Sequence, residues 1–382
     1  MKYSATFLVF LLPVLFGCAR LDYTVIQNVD LFDGEHVHEG INVVFTDSLI
    51  TAIHQKRKFN KRAQIIDGRG KTILPPLLNA HVHVREPDDL KAAQSAGIFA
   101  LLDMFSTNRR ASYLRSFRDS VDHALFYSSN VGATVPGGHG TQFRVQIPTL
   151  SKQLPPKQFV EERVAEGADY IKLTQEHSMA KLGLPQISAL VQAAHQHNRK
   201  VVGHISTLSD GLDIARQGVD GLAHIWYRNG SIADAPVLDT FKNNETFIIP
   251  TLSVIKRLTD QGQASGFGDR YLSFEQVLAE VKKAHEALKI LAGTDAPNFG
   301  MNYHDQLFEE LFLLTQAGLT EIEALQASTS NIYKTFELDA FSAIEVGTPA
   351  SFLLIDGKPH QQIEDLWKTK RIWKEGIEIR GG

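Results

Sequence analysis

Between residues 74 and 337 short apolar runs alternate with stretches of helical periodicity, and this alternation constrains the fold more than any other feature. Strands alternating with helices belong to parallel βα units. Eight runs qualify as strands: 74–83 (LPPLLNAHVH), 98–104 (IFALLDM), 124–129 (ALFYSS), 170–174 (YIKLT), 201–206 (VVGHIS), 221–226 (GLAHIW), 247–253 (FIIPTLS) and 289–295 (KILAGTD). Amphipathic helices fall between them. In one, Ile187, Leu190, Val191 and Ala194 recur at i, i+3, i+4 and i+7. Two others open on the capping-box patterns Ser273-x-x-Gln276 and Thr320-x-x-Glu323. Eight βα units predict an α/β fold, a (β/α)8 TIM-like barrel over 74–337, with reactive groups at the C-terminal ends of its strands.

The flanks read differently. From Asp22 to Ile73 the pattern is short and alternating, punctuated by Gly, Asp and Asn, and it returns in "SFLLIDG" and "RIWKEGIEI". Residues 19–73 and 338–382 are therefore expected to fold together as a small β-sandwich domain. Ahead of them, Met1-Lys2 supplies a short positive region and Phe7 to Phe16 an apolar stretch too short to span a bilayer. It ends in "LFGC", which resembles a bacterial lipobox, and Cys18 is the single cysteine of the chain. Residues 1–18 are read as a lipoprotein signal peptide. The mature protein is then exported and held at a membrane by acyl chains alone, on the periplasmic or cell-surface side. The net charge is −4, with acids and bases interspersed and no basic run, which argues against a nucleic-acid partner. A homo-oligomer is compatible with this frame.

The chemistry lies in where ionisable residues interrupt the apolar strands. His81 and His83 end the first run with one residue between them, so both imidazoles face one side. Lys172 sits inside the fourth run, His204 in the fifth, His224 in the sixth, and Asp295 ends the eighth. Singly, each has a bland reading: a hydrogen-bonded core histidine, a snorkelling lysine, an aspartate opening a turn. Together, at the ends of five barrel strands, they converge on one mouth.

The order HxH, Lys, His, His, Asp resembles the amidohydrolase superfamily. "LPPLLNAHVHV", "GADYIKL" and "LAGTDAP" look like its opening, lysine and aspartate strands. "GLTEIEALQASTSNIYKTFEL" and "EVGTPASFLLID" are similar to the helix and strand that close the fold, and "VPGGHGTQF" to a loop of the imidazolonepropionase-like branch, which includes metal-dependent dipeptidases. The likeness runs over residues 23–378. It implies two divalent ions, with His81, His83 and Asp295 on the first, His204 and His224 on the second, and a carboxylated Lys172 shared; imidazole and carboxylate ligands suit zinc, with manganese and iron as alternatives. It further implies attack by a hydroxide bridging the ions, with Asp295 taking the proton and passing it to the leaving amine. His139 in "GGHG" and Tyr227 are the implied substrate contacts, the latter for a substrate α-carboxylate; Arg228 stands next to it, where a guanidinium would grip that carboxylate bidentately, the alternative being a turn histidine and ordinary loop residues.

Departures accompany the likeness. Pro75-Pro76 stands where the family has Pro-Gly, Asn79 where it has Asp, Ile225 where a Gly often follows the sixth-strand histidine, and Ala350-Ser351-Phe352 where it has Ala-Asp-Leu. His304, Glu309 and Glu310 sit at family-like spacings after the eighth strand, but a solvated helix start accounts for them equally. The expected reaction is hydrolysis of an amide or peptide-like C–N bond in a small molecule, a dipeptide or N-acyl amino acid. A lactonase or cyclic-amide hydrolase, and a non-catalytic binding lipoprotein, are the alternatives.

Overall fold

The computed structural model describes residues 23–55, 58–143, 145–228, 233–264, 270–368 and 370–379. The signal peptide and Cys18 expected from the sequence lie outside them. No helix among the described residues is long and apolar enough to cross a membrane.

The chain begins with β1 (Tyr23–Phe32), β2 (Val37–Thr46), β3 (Leu49–His54), β4 (Ala63–Asp67) and β5 (Thr72–Leu74). The middle carries β6 (Leu77–Val82), β7 (Ile98–Asp103), β8 (Leu125–Ser128), β9 (Ile171–Gln175), β10 (Val201–Ile205), β11 (Gly221–Ala223) and β12 (Phe247–Ile249). It ends with β13 (Phe352–Ile355), β14 (Lys370–Lys374) and β15 (Ile377–Ile379).

Strands from both ends hydrogen-bond into one eight-stranded mixed sheet, ordered β15-β14-β13-β5-β1-β2-β3 with β4 also on β1. It has an apolar core of its own, in which Ile26, Val29, Phe45, Ile73, Phe352 and Trp373 meet. Ile26 and Val29 are three residues apart and would face opposite ways in a regular strand. A register shift between them, with Asn28 at φ 56°, restores both to the same core.

The middle strands form two parallel sheets, β6-β7-β8 and β12-β11-β10-β9. Their residues are buried almost throughout, as expected of parallel strands covered on both faces. Alternate residues separate into two clusters. Leu101, Leu173, Val201 and Leu222 pack with the helices, while Leu78, Ala100, Val202, Ala223 and Ile249 meet one another. The second cluster draws on both sheets, so they face each other across it. Isolated parallel bridges continue the pairing at Ala133–Leu173, Ile248–Ile290 and Val82–Ala296.

The run 289–295 is not a regular strand. Its amides alternate partners: Leu291 N–H donates to Ile248 C=O, Ala292 to Ala327, and both Thr294 and Asp295 to His81. Asp295 lies at φ 62°, in the left-handed region, which breaks any ladder. The segment still runs between β12 and β6. The periodic helix forms over Leu184–Gln196 with Ile187, Leu190, Val191 and Ala194 buried. Both capping boxes form as well: Ser273 Oγ accepts from Gln276 N–H while Gln276 accepts from Ser273 N–H, and Thr320 and Glu323 do likewise.

Candidate metal centre and cavity

The histidines predicted at the mouth sit at or just past the ends of short strands, Lys172 lies within β9, and Asp295 comes from the irregular 289–295 segment. His81 is buried at the end of β6 and His83 follows it; their Nε2 atoms lie 3.2 and 2.9 Å from Asp295 Oδ1. Asn79, in place of the family's aspartate, ties these two segments together. Its amide donates to Thr294 Oγ1, and its carbonyl accepts from the His81 and Thr294 amides. Lys172 shares a face of β9 with Tyr170, and His204 a face of β10 with Val202; both of those neighbours belong to the cluster between the sheets. Polar groups thus crown an apolar layer.

His224 leaves β11 at φ 74°, and its Nδ1 is 2.7 Å from Thr251 Oγ1. The Thr251 hydroxyl is also 2.8 Å from the Pro250 carbonyl, which can only accept, so its proton goes there. Its oxygen must then accept from His224 Nδ1–H. That fixes the tautomer and leaves Nε2 as the free lone pair. Thr251 itself sits at φ 53°, which is costly for a β-branched residue; together with His224 and Asp295 it makes three non-glycine residues in the left-handed region at one site.

The rings gather closely. Centroids of His81 and His224 are 4.9 Å apart, His204 and His224 4.7 Å, and His139 stacks on His204 at 4.4 Å. Ligand atoms of His81, His224 and Asp295 all lie within 4.8 Å of one another, so this group could hold a metal ion. Burial drives the His81 and His139 imidazoles down to about 3 and pulls His204 and His224 below their ordinary value. Neutral rings are what a metal requires. At His83 burial, the largest single influence, is outweighed by the Asp295 hydrogen bond and the Asp295 and Asp103 charges acting together, so that ring is raised. Burial would raise Asp295, but the hydrogen bonds from His81 and His83 hold it well below the usual carboxylate range.

Two buried polar atoms, Lys172 Nζ and His81 Nδ1, find no partner among the described residues. Burial pushes the lysine down to about 7. A buried amine without a partner is costly unless something is bound to it. Gly132 packs against its stem, where a Cβ would come 3.3 Å from Lys172 Cγ. Four imidazoles, a carboxylate and this amine form a donor set suited to divalent transition metals.

The cluster forms one wall of a cavity of about 600 Å3. Phe105, Phe143, Met179, Val254, Leu258 and Phe299 supply apolar lining, and Arg85, Arg110, Glu176 and Arg228 supply charge. His139 lines it too, with Nδ1 3.3 Å from the Gln142 side-chain amide. Tyr227 is buried beside the cavity and stacks on Tyr271. Arg228 lies over the Tyr271 ring, and its Nη1 is 3.7 Å from Glu176 Oε1. All nine predicted site residues therefore line this cavity.

Glu176 and Thr251 escaped the sequence reading. Glu176 was detectable, since Lys172, Thr174 and Glu176 alternate onto one face; Thr251 carries no pattern. Of the residues beyond the eighth strand, Glu309 pairs with Arg257, whereas Glu310 is fully buried and accepts from the amides of Leu252 and Ser253. A solvated helix start does not describe Glu310.

The sequence model of the amidohydrolase family matches residues 72–377. A search of curated proteins finds no match. Among solved structures, a Xaa-Pro dipeptidase with methionine bound in its active site superposes with a TM-score of 0.78 at 20% identity, covering 94% of this chain and 99% of that one. Molinate hydrolase gives 0.75 at 17% identity, with 94% and 95% covered. The A. niger ochratoxinase gives 0.74 at 16% identity, with 94% and 96% covered. At these identities the likeness shows the fold.

Proposed function

The chain belongs to the amidohydrolase family, and from that premise we propose that it is a metal-dependent hydrolase cleaving an amide or peptide-like C–N bond of a dipeptide or N-acyl amino acid. The observation that carries this is the gathering of His81, His83, Lys172, His204, His224 and Asp295 on one wall of a cavity sized for a small molecule. Two ions, zinc in this reading, would be held by His81, His83 and Asp295, by His204 and His224, and by a carboxylated Lys172 shared between them; when bound they supply Lewis acidity to a carbonyl and to water.

The protein's own groups do the rest. Asp295, kept ionised by the two imidazoles, takes the proton of the attacking water and returns it to the leaving nitrogen. Thr251 holds His224 in one tautomer. The apolar lining admits side chains and excludes water, while His139, Tyr227 and Arg228 orient the substrate's polar end. In the same reading the two parallel sheets and the 290–296 segment close into an eight-membered barrel. The three isolated bridges support this, since each spans a gap between neighbouring strands. The division into a catalytic unit over 74–337 and a small β unit from 19–73 and 338–382 belongs to it, as does export as a lipid-anchored protein through Cys18.

The test is a screen of zinc-loaded protein against paired libraries of dipeptides and N-acyl amino acids. Cleavage that a chelator abolishes is the expected result. No cleavage in either library, with metal demonstrably bound, would reject this substrate range.

A further inference from the structure

Glu176 is a buried carboxylate that the reaction outlined above leaves unused. Among the described residues lining the cavity, only it and Asp295 carry carboxylates. The two oxygens of Glu176 differ. Oε1 accepts from Ser178 N–H and Oγ–H and from Ser206 Oγ–H, and it faces Arg228 at 3.7 Å. Among the described residues Oε2 has one hydrogen-bond partner, His204 Nε2 at 3.3 Å. Once that imidazole nitrogen is given to a metal ion, Oε2 keeps no donor among them. A buried carboxylate oxygen so placed requires a cation or a strong N–H donor.

The geometry points to the α-ammonium of the substrate as that donor: Glu176 selects substrates with a free amine beside the scissile carbonyl, so dipeptides are preferred over N-acyl amino acids. This deepens the hydrolase reading above and rests on it for the reaction. Three features agree. Oε2 lies 3.3 Å from the proposed metal ligand His204, within reach of the amine one carbon away from a carbonyl held at the metal centre. The serines pin the carboxylate, so it need not reorganise to receive a cation. Arg228 and Glu176 form a juxtaposed opposite pair, which matches the zwitterion of a dipeptide better than the single negative charge of an N-acyl amino acid.

Alanyl-phenylalanine and N-propionyl-phenylalanine differ only by that amine, which makes them a suitable probe pair. In the zinc-loaded wild type, kcat/KM is expected to favour alanyl-phenylalanine. In Glu176→Gln the ratio of the two is expected to fall by at least about tenfold, at unchanged zinc content. An unmoved ratio would overturn the assignment, and so would zinc loss in the variant, which would place the carboxylate on the metal instead. Calorimetric binding of the same two compounds needs no turnover. Amine-dependent binding without cleavage would strike the hydrolase reading and leave Glu176 standing; equal binding of both compounds to the wild type would reject Glu176 whatever is cleaved.

Discussion

Replacing Thr251 with valine isolates one hydrogen bond of the proposed metal centre. The two side chains are nearly isosteric, Thr251 is fully buried, and its hydroxyl oxygen is the acceptor for His224 Nδ1–H at 2.7 Å. Valine leaves that buried N–H unpaired, a cost of about 1–3 kcal/mol. The imidazole can escape the cost by rotating or changing tautomer, and either change takes Nε2 away from the ion. Loss of such a supporting partner typically weakens metal binding by roughly 10–100-fold. At about 1.4 kcal/mol per tenfold that is about 1.4–2.8 kcal/mol, which agrees with the first figure. The assay is competitive zinc titration against a chromogenic chelator, with Thr251→Ser as control. Serine keeps the hydroxyl and tolerates φ 53° more easily than a β-branched residue, so its affinity should match the wild type. Equal zinc affinity of Thr251→Val and Thr251→Ser would mean that the Thr251 hydroxyl does not set the His224 tautomer.

Other outcomes are equally specific. Lys172→Ala should lower activity by orders of magnitude and recover part of it with added short carboxylic acids, assayed by product release; full activity with unchanged metal content would remove the bridging role. Glu310→Gln puts an NH2 donor where one of the two carboxylate oxygens now accepts, so either the Leu252 or the Ser253 N–H faces a donor, and should cost about 1–3 kcal/mol in urea unfolding without altering zinc stoichiometry. The wild type expressed from its full sequence should partition into detergent, and Cys18→Ser should release it or stall its processing. An aqueous wild type with an unmodified N-terminus elsewhere would discard the anchor.

What could be read from the sequence follows from range. Strand periodicity, the capping boxes at Ser273 and Thr320 and the HxH pair are local, and each has its structural counterpart within a residue or two. The eighth run shows the limit. "KILAGTD" has the composition of a strand, but its amides must serve Ile248, Ala327 and His81 in turn, and no local pattern encodes three partners so distant in sequence. Thr251 and Glu310 act through contacts 27 and 58 residues away, which a window of neighbours does not contain. Glu176 was within reach, because it repeats the alternation that exposed Lys172. From sequence alone an acid at a strand end reads as solvated, whereas here burial, two serines and an arginine surround it.

In the proposed function six side chains on one cavity wall hold catalytic metal. Elemental analysis of the purified protein, before and after exhaustive chelation and with hydrolysis followed in parallel, tests this directly. About two divalent ions per chain are expected, lost together with activity and restored together on adding zinc. A chain that binds no metal, or one whose hydrolysis persists after the metal is gone, would contradict it.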